Sequence, residues 1–191
     1  TIHAGTGAHN PGYAVDMPVR GFDGVSPTKL REGYSLALIT HRTVTQTKSR
    51  TIANPWLTDI LPANSIQINP LDADRLSLAD GQKVKVVSAT NTAGEWSLGN
   101  GRRQPIVGTV QRTELIRPGV VSFALGFGHW ATGASDVVID GHLIKGDPRR
   151  ATGLNANAAM WIDPALKNTC MVDTVGGSVS FYDTWVNLVP V

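Results

Sequence analysis

The apolar runs of this chain are short, and most are bounded within a few residues by glycine, proline, asparagine or aspartate. Residues 36–39, 65–68, 83–88, 106–111, 120–124 and 185–189 have the length and β-branched content of strands. One segment departs from this pattern. Asn69 reads as an N-cap with Pro70 at the first helical position, which predicts a short helix to about Leu76. Strands without alternating helices must cover or close their own edges, so the pattern predicts a mainly β domain closed as a small barrel with long glycine-rich loops. The expected core is Leu36, Leu38, Ile66, Ile68, Val84, Val86, Val107, Val121 and Val186. Two hairpins are expected outside it, a polar one within 89–105 and a small one within 137–146 that turns at Gly141.

Composition bounds what such a barrel can be. At 191 residues and 41% hydrophobic there is enough chain for one core, and we expect an irregular arm over 1–33 joined to a barrel domain over 34–191. A net charge of +2 gives no argument for a nucleic-acid partner, and no apolar run approaches the length of a membrane span. The single Cys170 rules out an internal disulfide and any all-cysteine metal site. The arm holds Gly5-Thr6-Gly7, but no strand precedes it and no Gly-Lys-Ser/Thr follows, so a phosphate-binding glycine loop fails on context; His3 and His9 read as surface histidines. Because the chain opens on Thr1 with no signal pattern, we expect a segment of a longer polypeptide.

Three stretches carry chemistry. The first strand opens abruptly into Thr40, His41, Arg42, Thr43, Thr45, Gln46, Thr47, Lys48, Ser49, Arg50 and Thr51, a loop made almost wholly of hydrogen-bond donors. Forked guanidinium groups and adaptable hydroxyls suit a phosphate-bearing or heteroaromatic ligand, though the same composition is that of an ordinary solvated loop. Gly126-Phe127-Gly128-His129-Trp130 is a glycine-flanked loop that lets backbone approach something flat, or else a tight turn. In Gly153-Leu154-Asn155-Ala156-Asn157 the two asparagines point the same way if the backbone is extended, which would let their amides read a ring edge; the alternative is a pair of asparagine turns. Trp56, in Asn54-Pro55-Trp56-Leu57, has the area to anchor its loop against the barrel or a neighbouring domain. Asp72 and Asp74 read as first-turn helix residues, and His41, His129 and His142 are not spaced as metal ligands. No Gly-x-Ser-x-Gly elbow supports a hydrolase, and no catalytic residue is assigned.

In order and spacing, Thr40-His41-Arg42, Ser49-Arg50-Thr51, Asn54 to Leu57, Ile68 to Ala73 with Asp80-Gly81, Arg117 to Val121 and Gly153 to Asn157 resemble the C-terminal domain of the molybdopterin oxidoreductases of the dimethyl sulfoxide reductase family. The resemblance runs from about Tyr34 to the C-terminus and implies a six-stranded double-psi β-barrel. It implies that Thr40, His41, Arg42, Ser49, Arg50, His129, Trp130, Asn155 and Asn157 contact a molybdopterin guanine dinucleotide, in the bis form with molybdenum or tungsten in the intact enzyme. Its partners would be the preceding domains of the same polypeptide and an iron–sulfur electron-transfer subunit. Gly128-His129-Trp130 and Asn54 to Leu57 look most like reductases of the tetrathionate, thiosulfate, polysulfide or arsenate type. Cys170 to Gly177 departs from the family's form. The isolated chain is expected to lack oxidoreductase activity, and the competing reading is a ligand-free double-psi barrel used for protein contact.

Overall fold

The computed structural model describes residues 19–98, 101–131, 133–173 and 177–191; Gly5-Thr6-Gly7, His3 and His9, and part of the 170–177 loop, lie outside them. Six strands close a barrel: β1 (Leu36–His41), β2 (Ser65–Ile68), β3 (Lys83–Ser88), β6 (Val107–Arg112), β7 (Val120–Ala124) and β10 (Trp185–Pro190). Around the barrel they follow one another as β1, β10, β3, β6, β2, β7. β1 runs parallel to β7 and β2 parallel to β6, while the other four pairings are antiparallel. Parallel neighbours need long crossovers, which is why so many connections here are long. This closed arrangement is the double-psi barrel. Two hairpins stand outside it, β4 (Glu95–Ser97) with β5 (Arg103–Pro105) and β8 (Val137–Ile139) with β9 (His142–Ile144).

Alternation places the core. Leu36, Leu38, Ile66, Ile68, Val84, Val86, Val121 and Val186 are fully buried inside the barrel. Val107 is not; in β6 the inward positions are Gly108 and Val110, one residue out of step with expectation. The reason is volume. A Cβ at Gly108 would collide with the side chains of Leu154 and Ile66, so the space an inward side chain would fill there is already taken by a residue of a later loop.

Helix α2 (Pro70–Arg75) forms as its cap predicts, with Asn69 Oδ1 accepting the Leu71 N–H at 3.0 Å. Its carboxylates are structural. Asp72 is buried and accepts from the Gly119 N–H and from Arg75, while Asp74 pairs with Arg112 at 2.6 Å, which ties α2 to the turn between β6 and β7. α1 (Pro55–Ile60) replaces the expected loop, with Asn54 as its N-cap. Trp56 is 79% exposed on it, so it does not anchor the loop against the barrel.

Residues 19–33 include a 3-10 turn over Pro27–Arg31 and are held to the barrel domain by Asp163, whose Oδ2 accepts the Phe22 N–H at 2.7 Å. Burial pushes that carboxyl up, but the N–H groups of Phe22, Leu166 and Ala165 outweigh it and leave the group below the usual carboxylate range. Among the described residues no helix is long and apolar enough to cross a membrane.

The shifted register of β6 gives a direct test. Gly108→Ala should lower stability by about 1–3 kcal/mol, as overpacking does, while Val107→Ala costs less; urea unfolding midpoints of the two variants check the order.

Candidate functional site

The parallel pairing of β1 with β7 sets the site. His41 lies opposite Ala124 and its carbonyl accepts the Leu125 N–H at 2.9 Å, so the chain leaves both strands side by side at one end of the barrel. β1 extends two residues beyond the apolar run because this pairing continues, and Thr40 and His41 therefore belong to the strand rather than to the loop. β2 runs antiparallel to β7, which brings the residue before it, Asn64, to the same end and leaves α2 at the other.

Asn64 is 5% exposed and joins three segments. Its Nδ2 donates to the carbonyls of Ala124 at 2.8 Å and Leu154 at 3.0 Å, and its Oδ1 accepts the Leu154 N–H at 2.9 Å. The two glycines of the loop after β7 complete the junction, each at positive φ. A Cβ at Gly126 would fall on the backbone of Lys48, and one at Gly128 would sit 2.5 Å from the Asn155 amide nitrogen. The loop after β7 is therefore packed between residues 42–54 on one side and 152–157 on the other.

These contacts place the expected site residues. Thr40 is buried, and its Oγ1 has no hydrogen-bond partner among the described residues. His41 Nδ1 lies 2.7 Å from the Ser122 hydroxyl. Arg42 follows β1 at the surface, and Ser49 and Arg50 lie in a 3-10 turn over Lys48–Arg50 that rests on Gly126. Arg42, Lys48 and Arg50 have no ion-pair partner among the described residues, as is also true of Lys29, Lys83 and Arg117, whereas Arg75, Arg112, Lys145 and Arg149 each hold a carboxylate. Gln46, 4% exposed, accepts from Thr51 at 2.6 Å but leaves Nε2 unpartnered.

His129 and Trp130 end the loop after β7, and Asn155 packs beside it. The two asparagines do not project in parallel, because their backbone is not extended: Asn155 is the N-cap of a helical turn, α3 (Ala156–Ala159), and Asn157 is exposed on it. Asn155 Oδ1 accepts the Asn157 N–H at 3.0 Å, so its Nδ2 faces His129 Nδ1 at 3.4 Å. In this contact the amide donates and Nδ1 accepts, an arrangement that suits the imidazole tautomer with its proton on Nε2. Burial lowers the pKa of both His129 and His41, so each presents a neutral imidazole with one donor and one acceptor. Trp130 lines a cavity of about 450 Å³ with Arg102 and Asp136. Among the described residues no group of three His, Cys, Asp or Glu side chains is placed to hold a metal ion.

Asn64, Gln46 and Ser122 are not among the expected site residues. Their partners explain why. Those of Asn64 are 60 and 90 residues away and that of Ser122 is 81 away, so no local pattern marks them, while Gln46 is one polar residue among many.

The family described as Molydopterin dinucleotide binding domain matches residues 36–98. Over 184 residues the chain is 36% identical to a selenate reductase polypeptide of Mesobacillus selenatarsenatis, covering 96% of this chain and 17% of that protein. It is 29% identical over 181 residues to a tetrathionate reductase polypeptide of Salmonella typhimurium, covering 92% and 16%. Acetylene hydratase from Pelobacter acetylenicus shares the fold, with a TM-score of 0.59 and 15% identity over 93% of this chain and 21% of that one. The chain belongs to the molybdopterin oxidoreductase family, as its domain that binds a molybdopterin dinucleotide. It spans less than a fifth of the length of these two reductase polypeptides.

Two measurements test the geometry. Asn64→Ala should cost about 2–3 kcal/mol of stability, because it leaves buried backbone groups of Ala124 and Leu154 unpaired. The histidines give a pH dependence with a definite sign. Their folded pKa values lie below the unfolded ones, so the unfolded chain takes up protons first as pH falls. Stability is full above the ordinary histidine range and declines as pH drops through it, and His129→Gln should flatten that decline in denaturation curves.

Proposed function

We propose that this chain grips a molybdopterin guanine dinucleotide within a longer oxidoreductase, and that the parent enzyme reduces an oxyanion of selenium or sulfur. The observation that carries the reading is the meeting of residues 42–54, 125–130 and 152–157 at one end of the barrel, held by Asn64 and the close approaches at Gly126 and Gly128. The donor set fits the ligand. Arg42, Lys48 and Arg50, without carboxylate partners among the described residues, suit phosphate oxygens, with the hydroxyls of Thr40 and Ser49 nearby in the chain. His41 and His129, both neutral, suit a ring edge that alternates donors and acceptors, as do the amides of Asn155 and Asn157, and Trp130 offers a flat face.

Of the four buried side-chain polar atoms without a partner among the described residues, two, Thr40 Oγ1 and Gln46 Nε2, belong to this end, where a bound group would relieve them; Ser88 Oγ and Trp161 Nε1 lie elsewhere. When bound, the dinucleotide's dithiolene sulfurs hold the metal, and that centre supplies the two-electron chemistry. This chain's own part is to bind and orient. The bis form of the cofactor, with molybdenum or tungsten, belongs to this reading, as do further domains of the same polypeptide and an iron–sulfur subunit that delivers electrons. Identities of 36% and 29% to selenate and tetrathionate reductase polypeptides support narrowing the substrate to such oxyanions. A barrel used only for protein contact would leave the unpartnered donors without a role.

In the parent enzyme, Arg42→Ala should weaken cofactor retention by about 1.5–3 kcal/mol, the range for a charge-assisted hydrogen bond. Arg103→Ala should do little, because Arg103 is exposed and, among the described residues, its guanidinium meets only Glu95, at 3.9 Å. Pterin and metal content of the purified variants, with release on heating, reads the difference; full retention in Arg42→Ala would remove this loop from the grip.

A further inference from the structure

The hairpin of β8 and β9 is apolar and exposed on both faces. Val138 and Leu143 pair on one face at 68% and 56% exposure, while Val137 and Ile144 pair on the other at 47% and 48%, beside Ile139. A two-stranded ribbon on its own is at best marginally stable in water, and five large apolar side chains exposed together on one ribbon mark a contact surface. Its base is nonetheless fixed. Asp136 accepts from Lys145 at 2.8 Å and from the Gly146 N–H at 2.9 Å, closing the ribbon below its apolar part, and Gly146 lies against the backbone of Ala134 and Ser135.

This clasp ties the ribbon to the candidate site. Trp130 and Val137 line the same cavity of about 450 Å³, so the ribbon's base and the His129-Trp130 loop form one continuous rim. We infer that the 137–144 ribbon inserts into an apolar cleft in the remainder of the parent polypeptide and locks this domain beside its cofactor end. The inference rests on the reading of this chain as part of a longer enzyme. Two observations select that occupant. The matched reductase polypeptides are each more than five times as long as the stretch this chain covers, so most of such a polypeptide is available to form the cleft. A second copy stacked ribbon to ribbon across a twofold axis would cover one face and leave the other wet, whereas both faces here are apolar.

The test uses the purified full-length enzyme, with cofactor content measured on each preparation. Val138→Cys and Ile144→Cys place a thiol on either face, and maleimide labelling is mapped by peptide mass spectrometry against the same variant unfolded. Both thiols should react at least about tenfold more slowly in the native enzyme, at every protein concentration. Labelling of either face at the unfolded rate overturns the cleft. Protection lost on dilution, together with a fall in mass, assigns the ribbon to a second copy and overturns it equally. Amide hydrogen exchange of residues 137–144 in the unsubstituted enzyme needs no variant: slow exchange across the ribbon supports the insertion and rapid exchange overturns it. Fast labelling in a protein that retains its dinucleotide removes the docking and leaves the cofactor reading standing. Protection in a native enzyme that lacks any dinucleotide does the reverse.

Discussion

The parallel pairing of β1 with β7 is the contact on which the rest of the molecule depends. An antiparallel neighbour would carry the chain away from the end where its partner turns; a parallel one delivers both loops to the same end. Because His41 and Ala124 share a register position, the polar loop after one strand and the glycine loop after the other start beside each other. Asn64 adds the third segment by bonding the backbone of Ala124 and Leu154 at once. A buried amide with three backbone partners fixes separation and orientation together, which no apolar contact does.

The same end of the barrel concentrates groups that the chain does not satisfy from within. Elsewhere Arg75, Arg112, Lys145 and Arg149 each sit against a carboxylate and Asp72 and Asp163 are hydrogen-bonded, although Ser88 Oγ and Trp161 Nε1 are buried there without a partner among the described residues. At the site, cations project without carboxylates, two imidazoles are held neutral by burial, and Thr40 and Gln46 each keep an unpaired atom. Unpaired groups gathered in this way are what the proposed cofactor grip rests on. The apolar ribbon beside it marks a surface where further chain completes the packing.

Local chemistry is legible wherever it is self-contained. The strands at 65–68, 83–88 and 120–124, the Asn69-Pro70 helix start and the 137–146 hairpin follow from residues within a few positions of one another. Most of the core follows too, since alternation within a strand needs only the strand. The expectations that fail share one cause. Pattern alone points Val107 inward, although Leu154, 47 residues on, occupies the space in front of Gly108. An extended backbone would align Asn155 with Asn157, whereas Asn155 caps a turn that packs on Gly128. Of the two anchors that the area of Trp56 suggests, the barrel and a neighbouring domain, α1 excludes the barrel by presenting the ring outward.

For the candidate site, the sequence alone determined which side chains are at hand: a donor-rich loop, a glycine loop ending in His129 and Trp130, and an asparagine pair, in an order that resembles the molybdopterin oxidoreductases. Composition and order are properties of the chain and survive without coordinates. Only the tertiary structure decided that these three stretches share one end of the barrel, that the Asn155 amide faces His129 Nδ1, and that Asn64 and Ser122 position the loops and His41. Each of those outcomes hangs on strand direction, register and a hydrogen bond between residues tens of positions apart. Such contacts exist only once the barrel has closed, because loop closure sets which distant groups can meet.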